Sequence, residues 1–232
     1  MAFHRLKTAA VALLTGVLIT FSAATQQVSA QAATTEAAMA QSVVQQFHAT
    51  LINVMKEASN LGYEGRYKWL TPAVRDTFNL PFMAEVAAGL YWSKATEAQR
   101  QAYVNAFADM STATYASRFD GYSGEKFDIL GSDAEGRNSI IVRTNVVETN
   151  GNHTNLNYLL RNFGGAWKVV DIYLNGSISE LATRKSDFSD ILKSGGIEAL
   201  TKALDDKVAS IAKDEASAAA RSGTQPKRAS IR

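Results

Sequence analysis

A run of four strand-like segments between Lys126 and Leu174 constrains the fold more than any other feature of the chain. The run is rich in β-branched and aromatic residues. Asn150-Gly151 strongly favours a two-residue hairpin turn, and Gly164-Gly165 favours one as well. Strands joined by such turns must pair antiparallel. We expect a meander of about four strands, near residues 125–131, 138–149, 153–163 and 166–175.

Apolar and polar side chains alternate along the two central predicted strands. Because side chains on a strand point alternately to opposite faces, one face of this sheet is buried and the other is wet. The expected inward-facing residues are Ile140, Val142 and Val146 in the second strand and Leu156, Tyr158 and Leu160 in the third. The buried face requires a second layer of structure.

Helical patterns lie on both sides of the strand run. Apolar residues at three- and four-residue steps predict a first helix. Thr71-Pro72 and Asn79 before Pro81 resemble helix starts, and Thr96 with Gln99 forms a capping box. We expect helices near 36–59, 72–78, 81–91, 97–119, 180–193 and 197–211, with a break at Gly195-Gly196.

Together these elements predict an α+β fold in which N- and C-terminal helices pack on one face of the antiparallel meander. Such a pair of layers can pack as a solid core or can enclose an apolar pocket. The residue pattern leaves both arrangements open.

The first thirty residues have the three regions of a secretory signal peptide. Arg5 and Lys7 precede an apolar run of about 14 residues, and Val28-Ser29-Ala30 supplies small residues for cleavage. The run is too short to span a bilayer. We expect a signal peptide at 1–30, a flexible N-terminus at 31–35, one domain at 36–213, and a disordered basic tail at 214–232.

Composition excludes several chemistries. The chain has no cysteine, so disulfides and thiolate ligands are absent. Its net charge of +2 is carried by Arg5 and Lys7, which leaves 22 basic against 22 acidic residues after cleavage. We expect no nucleic-acid partner, no metal site, since the histidines lack ligand spacing, and no cofactor.

Asp171, within an apolar strand, is expected to form a structural hydrogen bond to backbone or to Arg184.

Three stretches in this order resemble the MlaC, or toluene-tolerance auxiliary, family of periplasmic lipid-binding proteins. They are residues 78–92, which begin Phe-Asn-Leu-Pro-Phe-Met, residues 95–115, which begin Ala-Thr-Glu-Ala-Gln-Arg, and Trp167-Lys168-Val169-Val170-Asp171-Ile172, followed by Asn175-Gly176-Ser177-Ile178. The last continues through Arg184, Phe188 and Gly195-Gly196-Ile197. Residues 178–188 look closer to the hopanoid-associated HpnM branch of the family.

The resemblance implies a deep apolar pocket that takes lipid acyl chains while the head group stays in water. It also implies a periplasmic shuttle that serves outer-membrane lipid asymmetry. The expected ligand is a phospholipid or a hopanoid-type lipid, and the expected partners are an inner-membrane ABC transporter complex and an outer-membrane protein. The tail cations Lys227 and Arg228 could make transient contact with a membrane surface. No enzymatic activity is expected.

Candidate lipid-binding residues come from the inward sheet face and the helices opposite it. They are Phe82, Val86, Leu90, Tyr91, Phe107, Met110, Ile140, Val142, Val146, Leu156, Tyr158, Leu160 and Val169. Tyr91 is expected at the pocket mouth, where its ring can be buried and its hydroxyl wet. Two alternatives are a protein-docking module with a solid core and a small hydrolase or isomerase on a cone-shaped α+β fold, with Asp171 as general base.

Overall fold

The computed structural model describes residues 20–136 and 138–223, which fall into two units, residues 1–36 and 37–232. The helices are α1 (Thr20–Lys56), α2 (Ala58–Thr77), α3 (Leu80–Ala88), α4 (Leu90–Lys94), α5 (Glu97–Arg118) and α6 (Glu180–Gly223). The strands are β1 (Lys126–Ala134), β2 (Ser139–Val147), β3 (His153–Phe163), β4 (Ala166–Leu174) and β5 (Ile178–Ser179).

The strands form one sheet in chain order, from β1 to β5, and every neighbouring pair is antiparallel. This confirms the predicted α+β meander, with the two-residue strand β5 added at its edge. Register shifts between Ile129 and Gly131 and between Leu159 and Leu160 interrupt the ladders. Bulges of this kind bend a sheet and increase its twist.

Two predicted helix starts are confirmed. The Asn79 side chain accepts a hydrogen bond from the Phe82 amide at 3.1 Å, with Pro81 in the first turn of α3. At the start of α5, Thr96 and Gln99 form the complete capping box. Both motifs satisfy amides that have no partner inside the helix.

The predicted start at Thr71-Pro72 is wrong, because Pro72 lies inside helix α2. The Thr71 hydroxyl donates back to the Tyr67 carbonyl at 2.8 Å instead of capping a new helix. Leu70 and Val74 on either side are fully buried. We attribute the continuation of the helix through Pro72 to this packing, which outweighs the lost backbone hydrogen bond.

The N-terminal prediction is partly corrected. Residues 31–35, predicted to be flexible, belong to helix α1, where the Thr34 and Thr35 hydroxyls donate to the Gln31 carbonyl at 2.8 and 2.9 Å. Residues 1–19 of the predicted signal peptide lie outside the described residues, while residues 20–30 have helical backbone. Cleavage near Ala30 therefore stays a prediction.

Helix α6 kinks at the predicted break, since Gly195 and Gly196 have non-helical backbone angles. It then continues to Gly223, so the prediction of disorder from residue 214 is wrong for residues 214–223. Glu215 explains the difference. Its carboxylate accepts hydrogen bonds from Arg66 at 2.9 Å and from Ser117 at 2.8 Å, and it thereby fixes the helix to α2 and α5. Lys227 and Arg228 lie outside the described residues.

The main core lies between the inner sheet face and the helices. Its largest fully buried side chains, with under 2% exposure, are Tyr103, Tyr158, Phe47, Phe107, Leu51, Leu70, Leu160, Leu200, Val44, Val54, Val74 and Val142. Across residues 20–136 and 138–223, none of the helices has the length and apolar character needed to cross a membrane.

Candidate functional site

A cavity of about 110 Å³ lies between the sheet and the helical layer. Strands β3 and β4 form one side, and helices α2, α3, α5 and the first turns of α6 form the other. Its apolar lining consists of Val74, Phe78, Leu80, Met83, Phe119, Leu156, Ile172, Leu174 and Leu181. The remaining lining residues are Ser111, Thr114, Tyr115, Arg118, Glu180 and Arg184.

An aromatic cluster forms one wall of the cavity. The Tyr115 ring centroid lies 5.8 Å from that of Phe78 and 5.8 Å from that of Phe119, with which it is stacked. Behind them, Phe47 of α1 makes edge contacts at 5.2 Å with both Phe78 and Tyr115. Such contacts add to the stability given by area burial alone. The wall is therefore firmly fixed to the core behind it.

The hydroxyl groups that α5 places on the lining are largely used by the helix itself. Ser111 donates to the Phe107 carbonyl at 2.8 Å, and Thr114 donates to the Met110 carbonyl at 2.8 Å. Because these bonds occupy the hydroxyl protons, the two residues offer the cavity acceptor oxygens and the Thr114 methyl group. The α5 side of the cavity is thus less polar than its composition suggests.

Asp171 lies next to the cavity but is not part of its lining. One carboxylate oxygen accepts from the amides of Ile172 at 2.7 Å and Leu181 at 3.0 Å, and the other accepts from the Ser179 hydroxyl at 2.6 Å. The prediction of a structural hydrogen bond to backbone is therefore confirmed, and the suggested partner Arg184 is wrong. Asp171 positions the first turn of α6, which carries Leu181, against the cavity.

His48 occupies a second buried polar position, in helix α1. One ring nitrogen lies 3.0 Å from the Tyr158 hydroxyl, and the ring stacks on Phe127 with centroids 4.3 Å apart. Burial lowers the pKa of His48 to about 4. The residue is therefore neutral near pH 7 and joins α1 to the sheet.

No group of three or more His, Cys, Asp and Glu side chains that could hold a metal ion occurs within residues 20–136 and 138–223.

The structure places the predicted site residues in three settings. Six are buried in the core: Phe107, Ile140, Val142, Tyr158, Leu160 and Val169. Six are partly buried: Phe82, Val86, Tyr91, Met110, Val146 and Leu156. Of the thirteen, Leu156 lies on the cavity lining. The buried residues of β2, β3 and β4 therefore form a solid core beside the cavity.

Leu90 contradicts the prediction of an inward-facing side chain, since it is 83% exposed. Gly89 before it has φ 55°, a left-handed value that ends α3 and starts α4 in a new direction. The helical spacing from Phe82 and Val86 therefore does not extend to Leu90. Tyr91 is partly buried but does not line the cavity.

Sequence reasoning missed most of the lining, although a signal was present in two helices. On α5, Ser111 and Tyr115 continue at four-residue steps the stripe that begins with Phe107, and Phe119 follows directly after the helix ends. On α6, Leu181, Arg184 and Phe188 share one face at three- and four-residue steps. An arginine between two apolar residues on a buried stripe is the pattern that would have marked Arg184.

The fold and its cavity define an α+β protein with a small, largely apolar cavity between its layers. The family model of the MlaC protein matches residues 45–206, which is more than half of the chain, and the chain belongs to this family.

A solved structure shares the fold. It is the phospholipid-binding protein from Ralstonia solanacearum, determined in complex with a phospholipid. The match has a TM-score of 0.66 and 24% sequence identity, and it covers 75% of this chain and 98% of that chain.

Proposed function

We propose that this protein is a periplasmic lipid carrier. It takes the acyl chains of a phospholipid, or of a hopanoid-type lipid, into the cavity between sheet and helices. It then shuttles between the inner and outer membranes with an ABC transporter complex and an outer-membrane partner. The observation that supports the proposal best is the apolar lining of the cavity, in a fold shared with a protein solved with bound phospholipid.

The energetics of acyl-chain transfer explain why such a carrier is useful. Moving a chain of about 16 methylenes from membrane into water costs roughly 13 kcal/mol, at about 0.8 kcal/mol for each methylene. A cavity lined by Phe78, Leu156, Ile172 and similar side chains cancels most of this cost. Transfer to a second membrane is then close to neutral in free energy, so no chemical step is needed.

The cavity must enlarge to receive a complete chain. Its volume of about 110 Å³ is below the roughly 300–1,000 Å³ of typical ligand pockets. The kink at Gly195 and Gly196 in α6 and the break at Gly89 after α3 interrupt two of the four helices that line the cavity. We propose that the segments carrying Leu80, Met83 and Leu181 move outward at these points as lipid enters.

The two alternative functions have less support. A docking module would need a solid core and has no use for the apolar cavity. A hydrolase using Asp171 as general base would need a carboxylate open to substrate, whereas three donors hold both Asp171 oxygens. The predicted signal peptide and the family membership support the periplasmic location.

A cavity-filling variant tests the proposal. Thr114→Phe places a ring in the cavity. The threonine hydroxyl donates to the Met110 carbonyl, which also accepts a backbone hydrogen bond within the helix. Loss of the hydroxyl therefore leaves no buried group without a partner. Asn105→Phe is the matched control, because Asn105 is an exposed residue of the same helix.

Each variant is incubated with phospholipid vesicles, re-isolated without detergent and extracted for bound lipid. We expect wild type and Asn105→Phe to carry lipid and Thr114→Phe to lose at least about tenfold in uptake, the effect of about 1.4 kcal/mol. Equal uptake by Thr114→Phe, folded by circular dichroism, would rule out this cavity as the acyl-chain site.

A further inference from the structure

Strand β1 lies at one edge of the sheet, and its outer side has no partner strand. It pairs with β2 alone. Across residues 20–136 and 138–223, no bridge or backbone hydrogen bond reaches the outer side of β1. A strand edge of this kind presents a row of free N–H and C=O groups, with which another extended chain can pair. The outer side of β1 is therefore a surface for strand addition.

A groove of about 860 Å³ follows this edge between β1 and helix α1. Gln45, Ala49 and Ile52 lie on its helical side, while Asp128 and Leu130 lie on its strand side. Leu130 is 53% exposed. The groove shares no lining residue with the cavity between the sheet and the helices. It therefore offers a partner strand a separate, partly apolar surface.

Helix α1 leaves room below the β1 edge because it lies further inside the sheet. The His48 ring stacks on Phe127 of β1 and also reaches Tyr158 of β3, with 3.0 Å between its nitrogen and the tyrosine hydroxyl. Since β2 lies between β1 and β3, this part of α1 lies below β2. At about 4.8 Å per strand, two copies joined at β1 would hold their α1 helices roughly 14 Å apart. Helices in contact are about 8–10 Å apart, so the two helices do not clash.

The charges on β1 are complementary to those of a second β1. Lys126 and Asp128 are exposed, and Phe127 between them is partly buried, so the two charges lie on the same face of the strand. Neither side chain forms an ion pair within the described part of the chain. When two β1 strands pair antiparallel with Phe127 opposite Phe127, Lys126 of each copy lies opposite Asp128 of the other. A two-fold interface repeats every contact, so both charge pairs form together.

The same charges oppose the neighbouring registers. A shift of the centre by one residue places Lys126 opposite Lys126, or Asp128 opposite Asp128, and like charges directly opposite each other are destabilising. The register shift between Ile129 and Gly131 ends the regular part of the strand. Pairing is thus limited to one register and to a short ladder around Phe127. Such a small interface gives a weak and reversible complex.

We propose that two copies of this protein associate through β1 and join their sheets into one antiparallel sheet of ten strands, five from each copy, with Lys126 of each copy opposite Asp128 of the other. The second copy covers Ala49 and Ile52 in the groove. Because the cavity is lined by β3 and β4, pairing at β1 leaves it free in both copies. The inference does not depend on the proposed carrier function.

Sedimentation equilibrium from micromolar to millimolar protein concentration measures the association. Asp128→Lys places like charges opposite each other twice, whereas Lys126→Asp/Asp128→Lys exchanges the two charges and restores both pairs. Asp187→Lys is the control, because it makes the same charge change at an exposed position of α6. Amide hydrogen exchange at low and high concentration then locates the interface.

We expect wild type and Asp187→Lys to form dimers with similar dissociation constants. Asp128→Lys should weaken the dimer at least about tenfold, since two attractive cross-strand pairs become repulsive. The charge exchange should return the dissociation constant to near the wild-type value. Exchange of the amides of residues 126–129 should slow at high concentration in wild type and not in Asp128→Lys.

A wild type that stays monomeric at every concentration would overturn the inference. Association that Asp128→Lys does not weaken, or that the charge exchange does not restore, would assign the contact to another surface and would also overturn it. Lipid uptake is measured on the same samples. Monomers that load lipid would leave the proposed function standing without this inference, whereas dimers with the expected charge dependence that load no lipid would leave this inference standing without the proposed function.

Discussion

The buried pair of His48 and Tyr158 makes the stability of this protein depend on pH in a definite direction. His48 is 5% exposed, and burial lowers its pKa from 6.5 to about 4. Between these values the unfolded chain binds a proton that the folded protein does not. The stabilising effect is therefore fully present above about pH 6.5 and is lost as the pH falls towards 4.

The size of the effect follows from the shift. A difference of about 2.5 pKa units, at 1.36 kcal/mol for each unit, corresponds to about 3 kcal/mol of unfolding free energy. His48→Phe keeps the ring stacked on Phe127 but leaves the buried Tyr158 hydroxyl without its partner, which costs about 1–3 kcal/mol. The double variant His48→Phe/Tyr158→Phe removes both polar groups and avoids this cost.

The assay is urea unfolding followed by circular dichroism at several values between pH 7.5 and 4. Carboxylates elsewhere contribute to the pH dependence of every variant, so the quantity of interest is the difference between wild type and double variant. We expect wild type to lose about 3 kcal/mol more than the double variant over this range. Parallel curves for the two proteins would refute the assignment of a neutral, buried His48.

Three further substitutions test the packing around the cavity. Glu215→Gln removes the negative charge that pairs with the buried Arg66. We expect the free energy of unfolding to fall by about 1–3 kcal/mol and amide hydrogen exchange to increase in residues 214–223. Unchanged exchange would contradict the role of this ion pair. Asp171→Asn should lower the thermal midpoint, because it disrupts the hydrogen bonds that hold the turn carrying Leu181, and it should leave lipid uptake per folded molecule unchanged. Loss of uptake without loss of stability would instead give the carboxylate a direct role in lipid binding. Gly196→Ala should cost roughly 1–3 kcal/mol in denaturant unfolding, because φ 65° with ψ −158° is accessible almost only to glycine, and a neutral result would contradict the kink.

Local signals in the sequence predict much of the fold. The hairpin dipeptides, the Asn79 cap and the Thr96 capping box each satisfy backbone groups within a few residues, so their effect does not depend on the rest of the chain. Thr71-Pro72 fails as a helix start because buried Leu70 and Val74 hold the surrounding helix in the core. Tertiary packing of this kind is not visible in a short window of sequence.

The cavity was harder to predict than the sheet. Alternation along β2 and β3 correctly predicts that Val142 and Leu160 face inward, but it cannot tell a core residue from a lining residue. That distinction depends on where the α6 turn held by Asp171 lies relative to β4. The same placement brings Arg184 to an apolar wall, although its neighbours in sequence are mostly polar.

The most direct test of the carrier function is native mass spectrometry of the protein secreted by a bacterial host and purified without detergent, followed by organic extraction. We expect a stoichiometric adduct whose extracted mass is that of a phospholipid, and its loss in Thr114→Phe. An empty protein that also takes up no lipid from vesicles would contradict the carrier function.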